Sequence, residues 1–305
     1  MNVAFKGPQP STRSLDALAE ELLLPSGIDG VYARTGAFED IVNSLTAFIS
    51  RHREPGTEIL RFPPVMSRRQ LETSGYLKSF PHFLGCVCCL DGAEARIRGA
   101  VARFEAGEDW TADLSAADLV LTPAACYPVY PALAGALPAG GRLVDVMSYC
   151  FRHEPSEDPG RMQMFRMHEH VRLGDAETVI AWRESWLPRV DAFTAALGLE
   201  AQRDVASDPF FGRGGKLLAV SQRDQRLKLE ILTPIASDEL PTAIISLNYH
   251  QDYFGGLFGI TTAGGAVAHT SCVGFGLERI TLAVYRRHGF DRAGWPAPVR
   301  EALAL

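Results

Sequence analysis

Within the stretch Tyr149–Gly174, YCFRHEPSEDPGRMQMFRMHEHVRLG, ionisable side chains crowd together: Arg152, Glu154, Arg161, Arg166, His168, Glu169, His170 and Arg172. A planar guanidinium can grip two oxygens of a phosphate or carboxylate at once, so arginine at this density suits anion recognition. A second arginine-bearing pattern, Gly274-Phe-Gly-Leu-Glu-Arg279, follows near the C-terminal end. Taken as residue types alone, neither pattern is specific. A charged hairpin reads first as a solvated sheet edge, and Gly-x-Gly-x-Glu-Arg is a short pattern.

The elements that must carry these residues can be read from periodicity. Tyr149–His153 and Met164–Arg172 alternate apolar and polar residues, and Pro155–Arg161 between them is rich in Pro, Gly, Ser and Asp. That predicts two strands joined by a hairpin loop. Arg226–Pro234 alternates strictly, with Leu227, Leu229 and Ile231 on one face and Arg226, Lys228 and Glu230 on the other; Ala243–Tyr249 alternates too, setting Ser246 and Asn248 on one face. Glu58–Pro64, Val101–Asp109, Ala117–Thr122 and Leu143–Ser148 are further predicted strands.

Helical spacing of Phe38, Ile41, Val42, Leu45, Phe48 and Ile49 predicts a helix over Phe38–His52. Asp175–Leu199 is the clearest helix, with Asp175 placed to cap it, Gly198 near its end, and a stripe of Val179, Trp182, Trp186, Val190, Phe193 and Leu197. Shorter helices are expected at Leu15–Leu24, ended by Pro25 and Gly27, and at Ser67–Phe80 behind a possible Ser67 cap. Gly274 and Gly276 predict a tight turn before a helix at Leu277–Arg287, and Gly212–Gly215 a glycine-rich loop. Residues 1 to about 12 are expected to be loosely attached.

Composition bounds the answer. The 305 residues are 47% hydrophobic, enough for a large core in a single domain. A net charge of −6 gives no general attraction to nucleic acid. The sequence contains no apolar run of membrane-spanning length and shows no secretory signal, so a cytoplasmic protein is expected. Cys86, Cys88 and Cys89 lie too close together for a zinc ribbon and are expected to be buried thiols. No internal repeat or low-complexity tract is found.

FRHE, a loop, then FRMHEH resembles motif 2 of the class II aminoacyl-tRNA synthetases, most of all the seryl branch. PPVMSRRQLETSGYLKSFP resembles the motif 1 region, which makes the family's dimer interface, and GFGLER resembles motif 3. The resemblance covers roughly residues 35 to 290 and implies an α+β fold with an antiparallel sheet flanked by helices. It further implies an ATP site. Arg152 would hold the α-phosphate, Glu154 would accept from an amino group, Arg161 would reach the outer phosphates and Arg279 would meet the γ-phosphate. Glu230 and Ser246 match positions that bind the magnesium of ATP. The family's adenine-stacking Phe is matched by His170, an imidazole with a smaller stacking face.

Cys126, Glu169 and Cys272 match a Cys, Glu, Cys set that holds zinc in two groups of relatives. Those are the atypical methanogen seryl synthetases and the shortened amino acid:[carrier protein] ligases. By that resemblance one Zn²⁺ per chain is expected, with a fourth position open for the α-amino group of a substrate. Asp208 and Asn248 are the other expected substrate contacts. The sequence shows no sustained heptads before motif 1, so the helical tRNA-binding arm of the seryl synthetases is not expected.

The function implied is ATP-dependent activation of a small amino acid, glycine or alanine with glycine favoured, and its transfer to the phosphopantetheine thiol of a carrier protein by a homodimer. Neither tRNA nor a membrane is expected as a partner. The alternatives are a compact aminoacyl-tRNA synthetase, a protein-modifying aminoacyl transferase or a non-catalytic relative. Arg203, Arg213 and Lys216 are candidates for docking an acidic carrier.

Overall fold

The computed structural model describes residues 15–90 and 92–305; the expectation for residues 1 to about 12 lies outside them. Helix α1 (Leu15–Leu22) leads into an antiparallel pair, β1 (Leu23–Ile28) and β2 (Val31–Arg34). Pro25 and Gly27 therefore lie within a strand at a two-stranded edge, where a missing N–H costs no ladder bond. Then come α2 (Gly36–Ser50), β3 (Glu58–Arg61), β4 (Val65–Ser67) and the short helices α3 (Arg68–Thr73) and α4 (Tyr76–Ser79). Ser67 occupies the cap position of α3 without donating or accepting there through its side chain.

Next are β5 (Cys86–Leu90), α5 (Glu94–Glu105), β6 (Leu114–Leu121), α6 (Val129–Ala132) and β7 (Gly135–Ala136). The charged hairpin is β8 (Arg142–Phe151) and β9 (Met164–Gly174), followed by α7 (Ala176–Ala196), β10 (Gln202–Val205), α8 (Gly212–Asp224) and β11 (Lys228–Thr233). The chain closes with β12 (Thr242–Gln251), α9 (Tyr253–Phe258), β13 (Ile260–Thr261), β14 (His269–Gly276), α10 (Leu277–His288) and α11 (Ala297–Leu303).

Seven strands form the main sheet in the order β10-β11-β12-β14-β9-β8-β3. Its pairings are antiparallel except β3 beside β8. The hairpin is thus interior to the sheet and not the solvated edge its charge suggested. One face is covered by α2, α7 and α10. All six stripe residues of α2 are buried there against Trp186, Val190, Phe193 and Leu197 of the α7 segment. Asp175 caps α7 as expected, accepting from Thr178 N–H at 2.8 Å. Gly198, at φ +63°, ends it in the left-handed conformation glycine adopts most easily. The opposite face carries the functional groups and, beside them, a second apolar cluster that includes Val144, Val146, Val171 and Leu173.

Several expectations are corrected. Val101–Asp109 is not a strand: Val101 to Glu105 complete α5. Its apolar residues Ile97, Val101 and Phe104 recur at helical spacing and are exposed. A window as short as Val101-Ala-Arg-Phe fits periods of 2 and 3.6 equally. Cys86, Cys88 and Cys89 are not buried. They lie exposed on β5, the edge of the small sheet β4-β6-β5. Gly212–Gly215 is the first turn of α8, not a loop. Gly274 and Gly276 make no turn. They lie in β14, and a Cβ on Gly274 would stand 2.9 Å from the Met167 side chain.

The helix layer and the hairpin are tied by one buried ion-pair group. Glu278, in the first turn of α10, accepts from Arg166 N–H at 2.7 Å and from Arg166 Nε at 2.8 Å. Both terminal nitrogens of Arg166 reach Glu39 of α2, at 2.6 and 2.7 Å. Removing one partner of a buried pair leaves an uncompensated charge. Arg166→Ala is therefore expected to lower unfolding free energy by about 3–5 kcal/mol. Arg203→Ala, which breaks an exposed pair with Asp191, is expected to cost less than about 1 kcal/mol. Urea titrations of both variants check the contrast; equal losses would contradict the assigned role of Arg166.

Candidate active site

Antiparallel pairing sets the site. On the open face of the sheet β11 presents Lys228 and Glu230, β12 presents Ser246, Asn248 and His250, β14 presents Cys272 and Gly274, and β9 presents Phe165, Met167 and Glu169. Cross-strand registers pair Glu230 with Ser246, Asn248 with Cys272 and Gly274 with Glu169. Glycine at 274 clears the middle of this row, between Met167, Glu169 and Ser246.

Arg152, Glu154, Arg161, Glu230, Ser246 and Arg279 line one cavity, with Phe165, Met167 and Lys228. Arg152 leaves the end of β8; its Nε donates to Pro123 O at 3.2 Å and its guanidinium lies 5.4 Å from the centre of the Phe165 ring. Arg161, in the hairpin loop, is half exposed and lies 3.7 Å from both Glu154 and Asp158. Arg279 is anchored by Nε to Gly160 O at 2.8 Å and by NH1 to Ala243 O at 3.0 Å. Burial, and then the charges of Arg152 and Arg161, hold its pKa below the usual arginine value. Three guanidiniums that repel one another in one partly enclosed cavity are matched to a polyanion.

A second cavity shares Arg152, Met167, Lys228 and Ser246 with the first, so the two adjoin. It holds Cys126, Glu169, Asp208, Asn248, Cys272 and His250. Asp208 sits 2.6 Å from Lys228 Nζ and accepts from Gln222 at 2.8 Å. Burial is the largest single influence and would raise the Asp208 pKa, but the charge and hydrogen bond of Lys228, the Gln222 hydrogen bond and the Arg152 charge together outweigh it and the value is lowered. Asn248 Nδ2 reaches Ser246 Oγ at 3.2 Å and Cys272 Sγ at 3.5 Å.

Cys126, in the turn after β6, meets Glu169 and Cys272 with their ligand atoms all within 4.8 Å of one another, and all three are buried. Glu169 accepts from Ala125 N–H at 2.9 Å. Desolvation raises the Glu169 pKa. The Cys126 value is raised by its hydrogen bond with Cys272, by burial and by Glu169. For Cys272 the contact with Cys126 pulls down, yet burial and Glu169 prevail and its value is also raised. Two soft thiols and a carboxylate that are buried together and resist ionising together fit a divalent cation such as zinc, which would relieve all three.

A second group with ligand atoms equally close, Asp145, His168 and His170, does not fit one. Its carboxylate is already neutralised by Arg53 at 2.6 Å and Arg61 at 2.8 Å, and His168 Nε2 donates to it at 2.9 Å.

These positions correct one residue. His170 faces the helix layer, where its ring lies 4.8 Å from Trp186 and its Nε2 lies 3.3 Å from Ile49 O. It cannot reach the cavity, and the aromatic ring that does is Phe165. The structure brings together the other expected site residues. Phe165, Lys228, Tyr130 and His250 were missed. Three of them carried a signal, because each lies an even number of residues from a named one on its strand: Phe165 from Glu169, Lys228 from Glu230, His250 from Asn248. Of the docking candidates, Arg213 and Lys216 belong to α8, whereas Arg203 is spent on Asp191.

No family model matches the chain. It is 54% identical over 312 residues to amino acid–[acyl-carrier-protein] ligase 1 of Bradyrhizobium diazoefficiens, covering 100% of this chain and 96% of that protein. Among solved structures, the M. kandleri seryl-tRNA synthetase in complex with A. aeolicus tRNASec superposes with a TM-score of 0.84 at 21% identity, over 98% of this chain and 62% of that one. Seryl-tRNA synthetase of Pyrococcus horikoshii, complexed with ATP, gives 0.70 at 15% identity over 96% and 63%. The fold is that of the class II seryl-tRNA synthetase catalytic domains, and the chain spans somewhat less than two thirds of those two synthetase chains.

The burial pattern of the thiols makes a direct prediction. In the native protein a thiol reagent should modify Cys86, Cys88 and Cys89 quickly and spare Cys126, Cys150 and Cys272 until unfolding. Peptide mapping after brief alkylation checks it; early label on Cys126 or Cys272 would contradict the enclosed site.

Proposed function

The chain belongs to the amino acid–[acyl-carrier-protein] ligases, and from that premise we propose the following reaction. The enzyme uses ATP to activate a small amino acid, glycine or alanine with glycine favoured, as its adenylate. It then passes the aminoacyl group to the phosphopantetheine thiol of a carrier protein. The observation that carries this reading is the adjacency of the two cavities: an arginine-lined space suited to a polyanion shares a wall with the one that holds the buried Cys-Glu-Cys cluster.

In the first step a carboxylate oxygen of the amino acid attacks the α-phosphorus of ATP, and the bond to pyrophosphate breaks. Arg152 grips the α-phosphate, Arg161 the outer phosphates and Arg279 the γ-phosphate, stabilising charge as it moves onto the leaving group. Glu154 accepts from the amino group of the base, and Phe165 offers the apolar face on which the base stacks. Glu230 and Ser246 would hold the magnesium that accompanies ATP and neutralises part of its phosphate charge.

Cys126, Glu169 and Cys272 would hold zinc, which when bound supplies an open position for the substrate's α-amino group. Asp208 and Asn248 complete the enclosure of a small side chain, with Asp208 held in place by Lys228. In the second step the carrier's sulfur attacks the carbonyl carbon and the carbon–oxygen bond to AMP breaks. The thiol proton leaves to solvent or to the adenylate phosphate. Arg213 and Lys216 on α8, whose residues Leu218, Ser221 and Gln222 line the second cavity, offer a basic docking point for an acidic carrier. A homodimer formed through the motif 1 region is part of this reading.

Among the described residues no helix is long and apolar enough to cross a membrane; cytoplasmic placement belongs to the proposal.

Three outcomes are expected. Arg279→Ala should lower amino-acid-dependent pyrophosphate exchange by about 10²–10³ while the variant stays folded. A folded variant with near-normal exchange would contradict the role of Arg279. Cys272→Ser should lose bound zinc and amino-acid activation together, whereas Cys88→Ser should change neither. Full zinc in Cys272→Ser would remove that residue from the metal set. Finally, with ATP and labelled glycine or alanine, label should move to a phosphopantetheinylated carrier as a hydroxylamine-labile thioester. Label on tRNA and on no carrier would replace this reading with that of a compact aminoacyl-tRNA synthetase.

A further inference from the structure

Two polar side chains border the thiol cluster and have no part in the chemistry above: Tyr130 and His250. Tyr130, from α6, is fully buried, with its ring stacked on Phe254 at 4.0 Å. Its hydroxyl neighbours the Cys126 thiol, whose pKa it pulls downward against the stronger effects of Cys272 and burial. His250 follows Asn248 by two residues on β12 and so projects from the same face. Its Nε2 lies 3.8 Å from Cys272 Sγ, and its Nδ1 lies 3.1 Å from Thr270 Oγ1 and 3.5 Å from the Tyr130 hydroxyl. Each thiol of the cluster therefore has its own polar neighbour, and the two neighbours are in turn close to each other.

Two thiolates and a carboxylate leave a divalent ion with a net negative site in a buried place, where unshared charge is costly. Hydrogen bonds to sulfur spread that charge. A thiolate has no proton to give, so an attractive contact with it requires the imidazole proton on Nε2, with Nδ1 accepting from Thr270 Oγ1–H. His250 is poorly placed to be a fourth ligand. Its nitrogens do not join the atoms of Cys126, Glu169 and Cys272 that all lie within 4.8 Å of one another.

We propose that His250 and Tyr130 are positioning residues for the metal: His250 Nε2–H donates to the Cys272 thiolate and Tyr130 O–H to the Cys126 thiolate. The pair orients the two sulfurs and tempers their charge while leaving the fourth coordination position free. This inference rests on the zinc reading of the site.

The test uses the full chain, with Zn²⁺ affinity measured by competition with a chromophoric chelator and the electronic spectrum recorded after Co²⁺ substitution. Tyr130→Phe keeps the ring stack and removes only the hydroxyl. His250→Phe removes the donor, and His250→Gln restores an N–H near the place of Nε2. Outer-shell partners of this kind are worth about 10–100-fold in metal affinity, so both phenylalanine variants should weaken Zn²⁺ binding by that factor.

His250→Gln should recover most of the loss, and the thiolate-to-cobalt band should move in His250→Phe and return in His250→Gln. A loss in His250→Phe that glutamine does not repair would reduce His250 to packing and overturn the proposal. So would a cobalt spectrum showing that a nitrogen ligand had gone, which would make His250 a ligand. If His250→Phe does not fold, Tyr130→Phe and His250→Gln carry the test: Tyr130→Phe binding as tightly as the parent overturns it. Parent protein that binds no Zn²⁺ overturns the zinc reading and this one together. Parent that binds, with every variant equal to it, overturns this one alone.

Discussion

Successive side chains of a strand point to opposite faces of its sheet, and β9 carries consequential residues at both parities. Phe165, Met167 and Glu169 face the cavities. Arg166, His168 and His170 face the helices, where Glu39, Glu278, Asp145 and Ile49 meet them. A one-residue slip in its pairing with β8 or β14 would exchange the two sets. It would bury Phe165 among ion pairs and send Arg166 into the arginine-lined cavity. The bidentate contacts of Arg166 act against such a slip, because they are satisfied in one register only. The ion-pair group on the closed face thereby fixes the chemistry on the open one.

The open face brings opposite electrostatic demands side by side. Arg152, Arg161 and Arg279 converge on one cavity, with Arg161 beside Glu154 and Asp158, and Cys126, Glu169 and Cys272 converge in the other, with the His250 imidazole 3.8 Å from Cys272 Sγ. Between them Lys228 stands beside Asp208 and Glu230, at 2.6 and 3.0 Å. That internal pairing keeps the border between the two regions close to neutral, so that neither field cancels the other. A substrate with a carboxylate at one end and an ammonium or amine at the other matches this arrangement in one orientation.

Much of this was legible in the sequence, because motif spacing and strict alternation survive without tertiary information. The strands bearing Glu230, Ser246 and Asn248 and the capped helix after Asp175 came through; the grouping of Cys126 with Glu169 and Cys272, which the structure brings together, came from the family resemblance and not from spacing. What failed has physical causes. His170 was matched by motif resemblance rather than by parity, and counting by twos from Glu169 excludes it from the cavity. Cys86-Val-Cys-Cys reads as core by residue type, but whether a β-rich stretch is covered depends on its neighbours, and β5 ended at an edge. Val101–Asp109 was too short for one period to beat another. Gly274 carries a glycine because Met167 crosses over it, a contact between strands distant in sequence that no local pattern can disclose.

The order of the main sheet also governs how the molecule comes into being. β9 is held between β8, its hairpin partner, and β14, which is synthesised about a hundred residues later. Until β14 and α10 have emerged, Glu169 lacks Cys272, Arg166 lacks Glu278, and the inner edge of β9 has unpaired backbone groups. A ribosome-bound chain at that stage presents an open strand edge and an incomplete set of thiols. Loop closure over such a span is slow compared with hairpin formation. The growing polypeptide therefore passes through an interval with that strand edge open, and Cys272 and Arg279 join the two cavities only in one late event.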